Sequence, residues 1–249
     1  MKILVSVVSF HHNADVIKNL KQNFPLPENV IIVITDLAAD DNFEKIIQTQ
    51  YSKNVIYYRP EGRYGYGKNN NIAFKLFGND CDIFIVCNPD VFVNLRQLSN
   101  FLITQNIQNS LFAFRTFNEN GNPEYNIRRF FDPWNWFLSF IGKVDKNYWY
   151  YADSLGSKKN FEWCSGGFMV FDSSAYEKLG GFDENYFMYL EDVDLCRRCD
   201  MLGVKKVYFP EFSVIHLGQR KNKNIFSKHF FWFIRSMIRY YSKSYPKIK

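Results

Sequence analysis

Two stretches, ILVSVVS at residues 3–9 and VIIVIT at residues 30–35, are short, β-branched and apolar almost without interruption. A strand wet on one face alternates polar and apolar side chains, whereas an unbroken run is covered on both faces, as in the middle of a parallel sheet. Between the two, the polar break HHNAD leads into a helical stretch over residues 15–23, which Pro25 and Pro27 bring to an end. Strand, helix and strand in that order predict a βαβ unit, and with it an α/β fold whose central sheet is mostly parallel and flanked by helices.

The pattern continues outward. Residues 54–58, 81–88 (CDIFIVCN), 110–117, 168–171, 204–209 and 213–215 read as strands, and 95–105 and 173–179 as helices. In open α/β sheets ligands bind at the carboxyl ends of the strands. Asp36 ends the second strand, Asn88, Pro89 and Asp90 follow the fourth, and His216 follows the last. Acids so placed suit a divalent cation and a diphosphate; equally, Asn-Pro-Asp is a turn and an isolated His is usually structural. Asp40 fits the N-cap of a helix from Asp41 better than Asp36 does. In RPEGRYGYGKNNNIAFKLF, Gly65 and Gly67 permit close approach of backbone to a ligand, and Asn69 to Asn71 are expected to open a helix whose amide end faces negative charge. The stretch matches neither GxGxxG nor GxxxxGK followed by Ser or Thr, so hydride transfer and ATP hydrolysis have no specific support.

Residues 180–198, GGFDENYFMYLEDVDLCRR, thread Asp183, Glu184, Glu191, Asp192 and Asp194 through Phe182, Tyr186, Phe187, Met188 and Tyr189. Carboxylates among apolar side chains are costly, and that cost is tolerated where a group must hold a proton or a metal. The competing reading is that Asp192 or Asp194 caps the helix over 195–202. Residues 128–160, densely aromatic and then polar, suit a lid or an acceptor-binding face, or else an aromatic cluster that closes the core.

A chain of 249 residues, 47% hydrophobic and 19% aromatic, can bury one generous core, which argues against disorder. The first residues lack a secretory signal and no run approaches the ~20 apolar residues of a membrane helix, so a cytosolic location is expected. Five cysteines fit reduced thiols, and Cys196 and Cys199 are expected as buried helix residues rather than zinc ligands. The net charge of +6 is unevenly spread: nine of the 31 Lys and Arg, and none of the 25 Asp and Glu, fall in residues 217–249. There, Phe226, Phe230, Phe233, Ile234, Met237, Ile238 and Tyr241 recur at helical spacing, an amphipathic helix that suits an anionic bilayer or packs on the domain. No nucleic-acid partner is expected, because these aromatics form a helix face rather than a stacking platform.

Taken together, VSVVSFH, ITDLAAD, YGYGKNNNIAF, CNPDVFV, RRFFDPWNWFLSFIG, FEWCSGGFMVFD, GGFDENYFMYLEDVDLCRR and FPEFSVIHLG resemble, in order and spacing, bacterial glycosyltransferase family 2. Within it, they are similar to the rhamnosyltransferases of O-antigen and surface polysaccharide assembly. The resemblance implies a GT-A, Rossmann-like nucleotide-sugar-binding fold and an inverting reaction. It implies a transferase domain at 1–217, with a donor half at 1–94 and an acceptor and catalytic half at 95–217, before the basic tail 218–249.

By position, Asp36 looks like the base-recognising acid and Asp90 like the retained metal-binding aspartate of a DxD-type motif, with Asn88 replacing the first acid. His216 matches a position that completes a Mg2+ or Mn2+ shell. Asp192 matches the catalytic base, with Glu191 beside it. Ser9, Gly65, Gly67 and Asn71 join Asp36, Asn88 and Asp90 on the nucleotide-sugar side, while Arg128, Arg129, Trp163 and Gly166 fall on the acceptor or diphosphate side. The implied reaction moves L-rhamnose from dTDP-L-rhamnose to a polyprenyl-diphosphate-linked saccharide on the cytosolic face of the inner membrane. UDP-hexose or UDP-N-acetylhexosamine donors are the alternative, and a non-catalytic glycan- or lipid-binding module is the reading from another class. The motifs leave the oligomeric state open, a homodimer included.

Overall fold

The unbroken apolar runs become strands covered on both faces. The computed structural model describes residues 1–124, 126–130, 161–218, 227–243 and 245. β1 (Ile3–Ser9) pairs in parallel with β2 (Val30–Asp36) and with β4 (Ile83–Cys87), and β3 (Val55–Tyr58) extends the parallel set beyond β2. Successive side chains alternate between two cores: Leu4, Phe84 and Val86 face one, and Ile3, Val5, Ile83 and Ile85 face the other. Each such side chain contributes about 1.5–3 kcal/mol by leaving water, so both faces select apolar residues. Helices α1 (Asn13–Asn23), α2 (Asp41–Gln50), α3 (Tyr66–Phe77) and α4 (Leu95–Ile103) connect and cover these strands.

Beyond β4 the direction changes. β10 (Phe168–Asp172) lies antiparallel between β4 and β6 (Ser110–Phe117). β11 (Lys205–His216) runs parallel to β6 and antiparallel to β5 (Val91–Phe92), while β7 (Pro123–Glu124) returns antiparallel to β6. The order is β3-β2-β1-β4-β10-β6-β11-β5. Four of the pairings are parallel and four antiparallel, so the sheet is mixed: three of the parallel pairings lie among β1, β2, β3 and β4, and the fourth joins β6 to β11. β8 (Ile127–Arg128) and β9 (Trp163–Cys164) form a separate two-stranded ladder, and α5 (Ser173–Lys178) and α6 (Glu191–Leu202) complete this half.

Two expectations need correction. Residues 204–209 and 213–215 belong to one strand, β11, whose register shifts between Phe209 and Ser213, where Pro210 has no N–H to give the ladder. Asn69 to Asn71 do not open α3; the helix starts at Tyr66, so these asparagines lie inside it, and Asn70 Oδ1 accepts a bond from Ser6 Oγ at 2.7 Å. Asp40 does cap α2, accepting from the N–H groups of Asn42 and Phe43.

α7 (Lys228–Ser242) lies in the segment expected as a tail, and one face of it is docked. Met237 and Tyr240 enter the first core, and Ser236 Oγ donates to the Met188 carbonyl at 2.8 Å. Arg239 and Lys243 pair with Asp183 at 2.6 and 2.5 Å. The apolar stripe therefore divides: Met237 is buried, while Ile238 and Tyr241 stand 65% and 40% exposed, as does Phe231 beside the stripe at 68%. Among the described residues no helix is long and apolar enough to cross a membrane. Cys164, Cys196 and Cys199 are buried free thiols, as expected for the last two. The lid or acceptor-face expectation falls largely on residues 131–160 and, like Phe226, lies outside the described residues.

Candidate active site

The carboxyl ends of β1, β2 and β4 open on one side of the sheet. Ser9 and Asp36 are register partners there. Asp36 is buried and accepts the Ala38 N–H on Oδ1 (3.0 Å) and the Asp40 N–H and Tyr57 hydroxyl on Oδ2 (2.9 and 2.6 Å). It thus stitches the loop that follows β2, with acceptor capacity left on Oδ1. Among the described residues, the buried hydroxyls of Ser9 and Thr35 have no hydrogen-bond partner. A buried hydroxyl without a partner is costly, which marks this end of the sheet as a place where a polar group would be favoured.

At the end of β4, Asn88 and Asp90 meet His216 from the end of β11. His216 Nε2 lies 3.5 Å from Asp90 Oδ1, and Nδ1 lies 2.8 Å from Glu124 Oε2. Burial opposes charge on the imidazole, but bonds to Asp90 and Glu124 outweigh it and raise its pKa to about 9. Burial also works against the Asp90 carboxylate, and His216 more than offsets this, holding Asp90 below its ordinary value. Among the described residues no three His, Cys, Asp or Glu side chains converge as a ready-made cation cage. Asp90 and His216 could offer two ligands, a set that would fit a Mg2+ or Mn2+ ion completed by substrate phosphate and water.

The acid-rich segment faces the same crevice. Tyr189 and Leu190 are both left-handed, with φ of 71° and 63°, and their strain turns the chain sharply into α6. Neither Asp192 nor Asp194 caps that helix: the N-cap is Leu190, without a side-chain bond. Asp194 is fully buried and is bonded instead to Arg198 at 2.9 Å, and to Lys243 and Tyr245. Asp192 is half-buried and accepts the Gly166 and Val193 N–H groups, each at 2.8 Å. Burial raises the Asp192 pKa; those two N–H groups and the positive charge of Arg128 offset part of the rise. Glu191 is buried, its Oε2 without a partner among the described residues, and burial together with the Asp192 charge lifts its pKa to about 8.

Gly166 and Gly167 join the two clusters. A Cβ on Gly166 would stand 3.3 Å from Asp192 Cβ, and one on Gly167 would stand 3.4 Å from Asn88 Nδ2 and 3.8 Å from His216 Cε1. Asn88 N–H donates to the Gly167 carbonyl at 2.8 Å and Tyr66 hydroxyl to the Gly166 carbonyl at 3.0 Å. Upstream of the glycines, Arg128 and Trp163 are paired across β8 and β9, with the guanidinium 5.2 Å from the indole ring; Trp163 Nε1 donates to the Arg129 carbonyl at 2.6 Å, and Arg129 itself is exposed. The structure therefore brings together Asn88, Asp90, His216, Gly166, Asp192 and Glu191, with Arg128 and Trp163 on the adjoining ladder.

Three residues expected on the donor side, Gly65, Gly67 and Asn71, make close contacts with the segment before Asp192. A Cβ on Gly65 would meet the Phe187 carbonyl oxygen and lie 2.6 Å from Phe187 Cα, and one on Gly67 would lie 2.6 Å from Phe182 Cβ. Asn71 bonds the Phe182 N–H (2.9 Å), the Phe182 carbonyl (2.8 Å) and the Tyr176 hydroxyl (2.6 Å). These residues fasten α3 to the segment before Asp192. Glu124, Gly167 and Tyr66 are the site residues not anticipated; nothing local in ENGNPE ties Glu124 to a histidine far along the chain.

A family model described as glycosyltransferase like family 2 matches residues 2–234. The chain belongs to this family. It is 31% identical over 97% of its length to the rhamnosyltransferase WbbL of Escherichia coli K12, covering 93% of that protein. A shorter match, 45% identical over 60 residues and covering 24% of this chain and 20% of the relative, is to a Mycobacterium tuberculosis N-acetylglucosaminyl-diphospho-decaprenol L-rhamnosyltransferase. Among solved structures, GalNAc-T7 with UDP, GalNAc and Mn2+ aligns with a TM-score of 0.66 at 12% identity, covering 96% of this chain, which spans about half (48%) of that one. The mannosyltransferase PcManGT of Pyrobaculum calidifontis with GDP-Man and Mn2+ aligns at 0.61 and 12% identity, over 98% of this chain and 65% of the other. The GT-A-like fold and glycosyltransferase activity follow, with a rhamnosyltransferase-like character from the sequence relatives.

Proposed function

We propose that this glycosyltransferase moves L-rhamnose from dTDP-L-rhamnose to a polyprenyl-diphosphate-linked saccharide, with inversion. The observation that carries the reading is the Gly166–Gly167 junction, which sets the Asp192 carboxylate on one side and Asn88 and His216 on the other. The rhamnosyl donor and the lipid-diphosphate acceptor draw their support from the sequence relatives. Asp192, with its raised pKa, accepts the proton of the acceptor hydroxyl as that oxygen attacks the anomeric carbon from the face opposite the diphosphate. The new glycosidic bond forms as the bond to the diphosphate breaks, releasing dTDP. A divalent cation held by Asp90 and His216 supplies, when bound, charge compensation for the departing diphosphate. Glu191 orients Asp192 or the acceptor, and Arg128 favours anionic groups near Asp192. The exposed apolar face of α7, flanked by Lys228 and Arg235, suits an anionic membrane surface where a lipid-linked acceptor would lie, on the cytosolic side.

The test is a binding and turnover screen of dTDP-rhamnose against UDP-hexoses, with and without Mg2+ or Mn2+, on wild type and Asp192→Asn. Selective dTDP-rhamnose binding that survives Asp192→Asn while turnover is lost supports the assignment. Better binding of UDP-sugars would sink the donor, and no nucleotide-sugar binding would sink the reading as a whole.

A further inference from the structure

We propose that Glu124 is a positioning residue for the cation side of this site: its carboxylate holds the His216 ring so that Nε2 faces Asp90 and the donor diphosphate. The inference rests on reading Asp90 and His216 as the cation ligands. A histidine binds a metal through one nitrogen, and the partner of the other nitrogen fixes the ring's orientation and tautomer and raises its basicity. Here the shorter contact is the one behind the ring, 2.8 Å from Nδ1 to Glu124, against 3.5 Å from Nε2 to Asp90.

The fold builds this arrangement from a distance. Thr116 of β6 is the register partner of Glu124 in β7 and of Val214 in β11, so the two-residue return strand stands across β6 from the end of β11. The turn after β11 leaves room for the acid: Gly218 has φ of 61°, and a Cβ there would lie 3.0 Å from Glu124 Oε1. The same turn is tied to the other ligand, since Leu217 N–H donates to the Asp90 carbonyl at 3.0 Å. Glu124 and Asp90 side chains are only 17% and 9% exposed, so both work where water screens little. Asn88 brings no charge to this corner. Glu124 supplies, from the far side of the imidazole, negative charge that an acid at position 88 would have supplied directly.

The experiment is a Mn2+ titration followed by the electron paramagnetic resonance of free Mn2+, with and without dTDP, on wild type, Glu124→Gln and Glu124→Ala. Metal-free thermal unfolding of each variant accompanies it, and His216 ring-nitrogen NMR of the Mg2+–dTDP complex reports the tautomer. Glu124→Ala is expected to weaken Mn2+ binding by about 10–100-fold. Glu124→Gln, whose amide oxygen still accepts from Nδ1–H, should fall between that and wild type, with His216 keeping its proton on Nδ1. Mn2+ binding by Glu124→Ala within twofold of wild type would overturn the proposal, as would a Gln variant as weak as the Ala variant, which marks a direct ligand. If wild type binds no Mn2+ in either condition, the cation reading of Asp90 and His216 falls first, and this inference with it.

Discussion

Glycines mark two stretches of this molecule, residues 65–67 and 166–167, and they do different work. Around Gly65 and Gly67 the space a Cβ would need is filled by the backbone of Phe187 and the base of the Phe182 side chain, the nearest atom at or below 2.6 Å in each case. Around Gly166 and Gly167 it is bordered by the side chains of Asp192, Asn88 and His216, at 3.3–3.8 Å. The first pair lets a helix lie against a loop; the second lets a chain pass between Asp192, the proposed base, and the Asn88–His216 corner proposed to hold a cation. A glycine in sequence announces close approach, and only its neighbours say to what.

That contrast can be broken by experiment. Asp192→Asn leaves both glycine contacts in place and removes the base, so turnover should drop by about 10²–10⁴-fold with donor binding and melting temperature preserved; loss of folding instead would make Asp192 structural. Gly65→Ala must displace the Phe187 backbone, so a destabilisation of about 3 kcal/mol is expected, seen as a melting temperature lower by roughly 6–12 °C. An unchanged melting curve would mean that α3 and the 182–187 segment are not tightly joined. Gly166→Ala meets a side chain that can yield by a few tenths of an ångström. It should keep its melting temperature while turnover falls roughly ten- to a hundredfold through misplacement of Asp192.

The smallest effect is a pH dependence. Glu191 has a folded pKa of about 8, above the ordinary carboxyl value. Between those two values the folded protein keeps a proton that the unfolded chain has released, so stability declines as pH rises through that window. Glu191→Gln removes the loss, and should melt a few degrees above wild type at pH 8.5 but close to it at pH 4. Equal melting differences at both values would show that Glu191 does not hold its proton.

Legibility followed the range of the interaction. β1, β2 and β4, with Asp36 and Asp90 at their ends, were readable because burial on both faces writes itself into consecutive residues. The cap at Asp40 was readable because it is satisfied within three positions. Asn71 was not: its partners are Tyr176 and Phe182, and an amide that fastens two segments looks in sequence like one that meets a ligand. α7 shows both outcomes on one element, since its spacing announces an apolar stripe but not that Met237 turns inward and Ile238 outward.

By itself, then, the sequence determined the βαβ start, the acids at the strand ends, the carboxylate pair of residues 191 and 192, and the amphipathic helix near the end, all properties of local pattern and apolar periodicity. Tertiary structure decided where antiparallel strands enter the sheet, what each glycine pair lies against, and that Glu124 stands behind His216. Those contacts join residues far apart in the chain, and their partners are chosen by packing around the shared core, which no local pattern encodes.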